Sequence, residues 1–210
     1  AENLARMLDA HYRLSLLPRT PEAVRQGWAA TLTSLGMIDA FRAKHREASP
    51  EAAVRFLAFE REHPGSILSC LRTARENARA VRGTVPSEVW ETLNSTWLEA
   101  RGFGRTGGEP PLGEFLEWVK YRAHLTRGVI VGTMLRDEAY FFSRIGTFLE
   151  RADATTRLLE SRWRDPGEGG ERPASEASEW AVLLRALSAF EVYRKVYRDS
   201  VTPMQVTELL

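Results

Sequence analysis

The sequence predicts an all-α protein. Apolar residues recur at steps of three and four through most of its 210 residues, a spacing that places side chains on one face of an α-helix. No segment of useful length alternates apolar and polar residues, as a half-buried β-strand does. Pairs such as Ser-Pro, Thr-Pro and Pro-Gly mark the chain where helices are expected to begin or end. We therefore expect a multi-helix bundle.

The N-terminal part of the chain contains six predicted helices. They cover residues 1–17, 21–35, 37–47, 50–62, 66–82 and 86–100. Thr20-Pro21-Glu22 and Ser49-Pro50-Glu51 are typical helix starts, with a hydroxyl N-cap, a proline in the first turn and an acid near the positive helix end. Gly36 separates the second and third helices, and Pro64-Gly65 ends the fourth.

Two Gly-rich segments divide the rest of the chain. The first, RGFGRTGGEPPLG at 101–113, is a predicted linker between a first helical half, 1–100, and a second half, 114–210. The second, at 164–174, is charged and Gly-rich, so we expect a flexible loop. Further helices are predicted at 115–135, 137–163 and 175–198, and a last one begins at Thr202-Pro203.

The bulk composition limits the classes of function. The net charge is +1, so nothing favours a general electrostatic affinity for nucleic acid. No stretch approaches the roughly 18 apolar residues of a membrane span, and no membrane association is expected. The only cysteine, Cys70, cannot form a disulfide within the chain, and its apolar helical surroundings favour a small buried core residue. A reducing compartment, the cytoplasm, is the natural expectation.

Arginine outnumbers lysine by 26 to 3. This bias either reflects a GC-rich genome or provides planar, bidentate contacts to carboxylates and phosphates, for which lysine is a poor substitute. Both explanations can hold together.

The predicted helix 137–163 organises the chain. One apolar stripe runs along it, formed by Phe141, Ile145, Phe148, Leu149, Ala152, Thr156, Leu159 and Trp163. Charged side chains lie at both edges of the stripe, with Glu150, Asp153 and Arg157 on one side and Arg144 and Arg151 on the other. Because charges usually lie far from an apolar face, we expect these to meet neighbouring helices.

Residues 1–9 match residues 152–160, which indicates an internal repeat. In both segments an acid precedes an arginine by four residues, and the two pairs are Glu2–Arg6 and Asp153–Arg157. This order suits a salt bridge along one helix. A looser match, Arg75-Glu76-Asn77-Ala78-Arg79, lies between them. Since the chain begins inside the first copy and ends without a stop signal, we expect a fragment whose first repeat is truncated.

The segment Leu149-Glu150-Arg151-Ala152-Asp153, followed by Thr156-Arg157-Leu158-Leu159, resembles the Glu-Arg signature of the alpha-E family. Further matching segments lie at 64–67, 74–82, 90–94, 191–197 and 201–203, so the resemblance covers nearly the whole chain. The sequence departs from the family pattern at its ends. The first copy lacks its own Glu-Arg pair, and the Pro-Arg-Ser-like ending is missing after Leu210.

The resemblance implies a bacterial helical domain, usually duplicated in tandem and without an established activity. Alpha-E proteins are encoded beside circularly permuted ATP-grasp carboxylate–amine ligases and transglutaminase-like proteins. A role in peptide synthesis or modification is therefore implied, with one of those proteins as partner and a peptide as substrate. This implication rests on association, not on chemistry that the residues display.

Familiar catalytic and metal-binding patterns are not matched by the sequence. Glu60-x-x-His63 has the spacing of a di-iron ligand pair, but no second such motif accompanies it, and the histidine stands at a helix end. Ser66 occupies an expected helix N-cap rather than a nucleophile motif. No phosphate loop or dinucleotide fingerprint is present. We expect neither a metal nor another cofactor.

A polar cluster is the candidate binding site. Its members lie on the three related segments and are Glu2, Asn3, Arg6, Arg75, Glu76, Asn77, Arg79, Glu150, Arg151, Asp153 and Arg157. One interpretation is an interhelical salt-bridge network that fixes the register of the two repeats. A second is a polar cleft that binds a carboxylate- or amide-bearing peptide, or a phosphorylated intermediate, through arginine forks. A third is a surface that docks a partner protein. Any pocket is expected where the two copies face each other.

Three hypotheses for function remain from the sequence. The first is an accessory or partner-binding module of a bacterial peptide synthesis or modification system, which works with an ATP-grasp-type ligase and has no catalytic activity of its own. The second is an enzyme of the same pathway that uses an Arg/Glu cleft on an acyl or amide substrate. The third is a purely structural interaction protein.

Overall fold

The computed structural model describes residues 1–15, 20–103, 111–163 and 176–210. These residues form eleven α-helices and contain no β-strand, so the predicted all-α class is confirmed. The helices are α1 (Glu2–Ser15), α2 (Pro21–Ser34), α3 (Ile38–Arg42), α4 (Pro50–Val54), α5 (Ile67–Ala80), α6 (Ser87–Ala100), α7 (Leu112–Thr133), α8 (Glu138–Trp163), α9 (Glu176–Ala186), α10 (Phe190–Val196) and α11 (Pro203–Leu209). The predicted loop at 164–174, and residues 104–110 of the predicted linker, lie outside the described residues.

Hydroxyl caps begin four of the helices, as the sequence predicts. Thr20, Ser49, Ser66 and Thr202 each accept a hydrogen bond from the backbone N–H three residues further on, at 3.2 Å for the first three and 3.4 Å for Thr202. Each bond satisfies a donor that the first helical turn leaves unpaired. The fourth helix then continues beyond Val54 as a π-helical turn, Arg55–Phe59.

Two predicted helices are shorter or more broken than expected. The third helix ends at Arg42 rather than near residue 47, and a turn follows it in which the N–H groups of Lys44 and His45 both donate to the Phe41 carbonyl, at 3.0 and 2.9 Å. The predicted helix 175–198 is instead α9 and α10. The chain leaves α9 through Ser188, whose φ of +58° lies in the left-handed region and ends the helix.

Contacts divide the chain into two compact units. Unit 1 comprises Ala1–Ala5 and Val54–Glu150, and unit 2 comprises Arg6–Ala53 and Arg151–Leu210. Each unit therefore combines segments that are distant in the sequence. The predicted halves, 1–100 and 114–210, rest on the 101–113 linker and the repeat in the sequence. They stay predictions, as does the internal duplication.

In unit 1, α6 packs against both α5 and α7. Their facing stripes supply buried apolar side chains, among them Ile67, Leu68, Val89, Phe115, Leu116 and Val119. Arg122 of α7 donates to the Thr96 hydroxyl at 2.7 Å and to the Thr92 carbonyl at 3.2 Å. The guanidinium thereby joins α7 to the middle of α6.

In unit 2, α9 packs against both α10 and α11. These helices share a core of Trp180, Leu183, Leu184, Tyr193 and Val206. The helices α2 and α3 also pack together, and they bury Trp28, Leu32 and Phe41. Unit 2 therefore has apolar interior at both of these helix groups.

The apolar stripe of α8 is exposed along its first half. Phe142 and Leu149 are 71% and 66% exposed, and Phe141, Ile145 and Phe148 are each about half exposed. The periodicity predicted from the sequence is present, but this face is open to solvent. Among the described helices, none is both long and apolar enough to cross a membrane.

Candidate functional site

A cleft of about 530 Å³ in unit 1 brings together several of the predicted residues. Its walls come from α5, α6, α7 and α8, with the first turn of α1 at one side. The α8 wall consists of Ser143, Arg144, Thr147 and Glu150. Ser143, Thr147 and Glu150 are three or four positions apart and share one face of the helix, and Arg144 lies between that face and the apolar stripe.

The rim of the cleft carries paired charges. Glu2 accepts a charge-assisted hydrogen bond from Arg127, and their side chains are 16% and 37% exposed. Asn3 donates to Glu150 through its side-chain amide at 3.4 Å. The carboxylate of Glu150 is itself well exposed, so it can still accept from a ligand.

Arg144 is the cation in the cleft that has no carboxylate partner among the described residues. Its guanidinium lies 4.7 Å from the centre of the Phe148 ring, in a cation–π arrangement one helical turn away. That ring restricts the side chain without occupying its five donors. Asn77 lines the cleft as well, and its amide offers both a donor and an acceptor. Together these groups can bind a planar anion, for which a guanidinium has matching geometry.

The predicted residues Arg75, Glu76 and Arg79 form a separate network along α5. Glu76 accepts from Arg79 at 2.8 Å and also from Arg75. These two bonds, that from Arg79 first, lower the pKa of the Glu76 carboxyl. Arg75 also donates to Asn94 of α6 at 3.0 Å, and its guanidinium lies 5.4 Å from the Trp90 ring. This network joins α5 to α6.

The other predicted residues belong to unit 2. Arg6 donates to the hydroxyl of Ser188. Arg157 donates to both carboxylate oxygens of Asp153 at 2.9 Å, which raises the pKa of Arg157. Both side chains of that pair are about half exposed, so the predicted i,i+4 salt bridge is present but of the weak surface type. Arg151 is also exposed.

The structure thus places three predicted residues, Glu2, Asn77 and Glu150, on one cleft, with Asn3 bonded to its rim. Arg127 and Arg144 also line the cleft and were not members of the predicted cluster. Arg144 could have been found, since its spacing to Thr147 and Glu150 follows one helical face. Arg127 could not, because its pairing with Glu2 joins residues 125 positions apart.

The surroundings of Cys70, Ser66 and His63 show no catalytic arrangement among the described residues. Cys70, which we expected in the core, is only half-buried and lines the cleft, with its sulfur 3.8 Å from the Pro64 carbonyl oxygen. Ser66 is fully buried and donates to the Glu60 carbonyl at 2.5 Å while it caps α5. His63 stacks on Phe56, with 4.2 Å between ring centres. Within the described ranges, no three His, Cys, Asp or Glu side chains form a group that could hold a metal ion.

Comparison with known proteins places the chain in a family. No curated protein and no solved structure matches it. A family described as a predicted alpha-helical domain with a conserved ER motif matches residues 1–210, the whole chain. The all-helical fold and the Glu150-Arg151 dipeptide agree with that description. The chain belongs to the alpha-E family.

Proposed function

We propose that this chain is a non-catalytic binding module of a bacterial peptide synthesis or modification system, and that the unit 1 cleft binds a peptide through its carboxylate. One observation carries the proposal. Arg144 lines a cleft of about 530 Å³ without a carboxylate partner among the described residues. A cleft of this size can hold a short peptide, and a fork-shaped cation selects a carboxylate within it.

The chemistry of the walls supports a peptide ligand. The apolar side chains Leu71, Leu93 and Ile130 line the cleft beside the polar ones. A peptide with an apolar terminal residue supplies a side chain for that surface, a carboxylate for Arg144 and an amide N–H for Glu150. The same ligand therefore uses charge, hydrogen bonding and apolar burial at once.

The described lining residues favour binding over catalysis. No histidine is among them, and the hydroxyls of Thr126 and Thr147 donate to backbone carbonyls of their own helices at 2.8 and 3.0 Å. A nucleophile needs an adjacent base within hydrogen-bond reach. The alternative of a pathway enzyme that acts on an acyl or amide substrate has less support from this geometry.

The wider context is part of the proposal. We infer a cytoplasmic protein that works with an ATP-grasp-type ligase or a transglutaminase-like protein, on the basis of the family's genomic company. We also infer an internal duplication, supported by the match between residues 1–9 and 152–160. A purely structural interaction protein is the remaining alternative.

A binding experiment tests the cleft. N-acetyl-Ala-Leu and its C-terminal amide are titrated into the protein by calorimetry, and the wild type is compared with Arg144→Gln and Arg72→Gln. Arg72 is an exposed α5 arginine outside the cleft lining, so it controls for loss of charge. We expect the free acid to bind at least tenfold more tightly than the amide, and Arg144→Gln alone to remove that preference. Equal binding of acid and amide to the wild type would refute the proposed ligand.

A copurification experiment tests the partner. The tagged full-length protein is isolated from its own organism, and the ligase encoded beside it is sought in the eluate. We expect the wild type and Arg72→Gln to retain the ligase. If the protein binds the peptide but never retains the ligase, the proposed peptide cleft stands and the proposed partner is refuted.

A further inference from the structure

A second groove, of about 380 Å³, lies within unit 2 and is independent of the cleft described above. One wall is the N-terminal half of α2, and the other is α3 with the segment that follows it to residue 48. Ala29, Ile38 and the buried ring of Phe41 contribute its apolar surface. None of its lining residues belongs to the polar cluster that the sequence predicts.

Three arginines and two glutamates set the charge of this groove. On the α2 wall, Arg25 donates to Glu22 at 2.6 Å, and Gln26 donates to the same carboxylate at 3.2 Å. The pKa of Arg25 is raised chiefly by Glu22 and to a lesser degree by Glu47. Both acids therefore act on Arg25.

The opposite wall carries Glu47 and two arginines that form no ion pair with it. Arg42 and Arg46 are exposed, line the groove four positions apart, and have no ion-pair or hydrogen-bond partner among the described residues. Two guanidinium groups that line one groove favour an anion there. A carboxylate satisfies one fork, whereas a phosphate dianion has the charge and the three acceptor oxygens for two.

We propose that this groove of unit 2 binds the phosphate group of a small phosphorylated ligand through Arg42 and Arg46. The rest of the ligand packs on Ala29 and Ile38, above the Phe41 ring. The site is built from α2, α3 and the segment after α3, all in unit 2. Its existence does not depend on the peptide cleft of unit 1.

Calorimetry at pH 7.5 and low ionic strength tests the proposal with three probes: phenyl phosphate, inorganic phosphate and benzoate. Low salt is needed because exposed charge pairs are strongly screened. We expect phenyl phosphate to bind at least tenfold more tightly than benzoate. Inorganic phosphate, which has no apolar part, should bind more weakly than phenyl phosphate. Equal affinity of the two phosphates would support the arginine site with free phosphate as its ligand.

Matched variants locate the binding. The double substitution Arg42→Gln/Arg46→Gln should weaken phenyl phosphate at least tenfold. The control Arg194→Gln/Lys195→Gln also removes two positive charges, but from exposed positions of α10 in the same unit. It should change the affinity less than twofold. Arg42→Lys/Arg46→Lys keeps the charge but loses the forks, so its affinity should fall between wild type and the glutamine variant.

Three results would overturn the site. They are no phenyl phosphate binding below 10 mM, a preference for benzoate, and equal weakening by the glutamine variant and its control. Since the unit 1 variants leave Arg42 and Arg46 unchanged, failure here is distinguishable from failure of the peptide cleft.

Discussion

Tyr193 of α10 and Tyr197, the residue that ends this helix, show how strongly the surroundings of a residue decide its role. Tyr193 is fully buried, and its hydroxyl lies 2.6 Å from the Gln205 side-chain oxygen while it accepts from the Thr202 N–H at 3.1 Å. Tyr197, one turn later, is partly buried and donates to the exposed side chain of Glu208 at 3.0 Å. Burial, and then this hydrogen bond, raise the pKa of Tyr197. The Tyr193 hydroxyl therefore binds the backbone that leads into α11, whereas the Tyr197 hydroxyl binds only a surface side chain.

The first prediction compares the loss of each hydroxyl. Tyr193→Phe should lower the free energy of unfolding by about 1–3 kcal/mol, because the part-buried Thr202 N–H loses its acceptor. Tyr197→Phe should change it by roughly 0.5 kcal/mol or less, because its partner Glu208 is exposed and can bond to water instead. Urea unfolding followed by circular dichroism measures both. A larger loss at Tyr197 than at Tyr193 would contradict the role assigned to the buried hydroxyl.

At the scale of the helix, two terminations have the same geometry but different sequence signals. At the end of α2, the Gly36 N–H donates to the Thr33 carbonyl at 2.9 Å, and the following N–H donates to the Leu32 carbonyl at 2.8 Å. At Ser188, the corresponding bonds to Arg185 and Leu184 are 3.0 and 2.8 Å. Both positions have positive φ. These are Schellman endings, in which glycine is usual.

This comparison explains which helices could be predicted. Gly36 announces the end of α2, because glycine adopts positive φ without steric cost. Ser188 gives no such signal, so the sequence predicted one helix over 175–198 where there are two. The four hydroxyl caps could also be predicted, because each bonds to a backbone N–H only three residues further along the chain. They are Thr20, Ser49, Ser66 and Thr202.

The second prediction contrasts two glycine substitutions. Gly36→Ala should destabilise the protein by about 1–2 kcal/mol, because φ there is +67° and a Cβ is strained in that region. Gly128→Ala should stabilise it by up to about 1 kcal/mol, since this α7 glycine has no atom within 4 Å of an added Cβ. Thermal unfolding of both variants measures the difference. A stabilising Gly36→Ala would show that the turn is not held at positive φ.

At the scale of the whole molecule, the sequence predicted the helical class and the family but not the two units. Helical class depends on local periodicity, which one sequence displays. The units combine chain segments far apart, such as Ala1–Ala5 with Val54–Glu150, and no local pattern encodes that pairing. The candidate site shows the same limit. Glu2, Asn77 and Glu150 were predictable as members of a repeated motif, whereas Arg127 became relevant only through its tertiary pairing.

The apolar face of α8 has the predicted periodicity but not the burial that such a face normally has. Periodicity predicts a helix with one apolar side, but it does not say what covers that side. Five large apolar residues on this face, from Phe141 to Leu149, are at least half exposed. An exposed patch of this kind is unusual on a chain with ordinary composition and marks a surface with high affinity for apolar probes.

The last prediction tests that exposure directly. Phe142→Ser/Leu149→Ser should reduce the fluorescence of bound anilinonaphthalene sulfonate by about half or more, because a cluster of exposed apolar side chains is what the dye recognises. Val192→Ser/Val196→Ser removes two other exposed apolar residues, on α10, and should reduce it much less. Since all four side chains are exposed, both variants should unfold within about 0.5 kcal/mol per substitution of the wild type. A loss of more than about 3 kcal/mol in the α8 variant would mean that Phe142 and Leu149 are packed in the folded protein, and that the helix uses its apolar stripe as a core face after all.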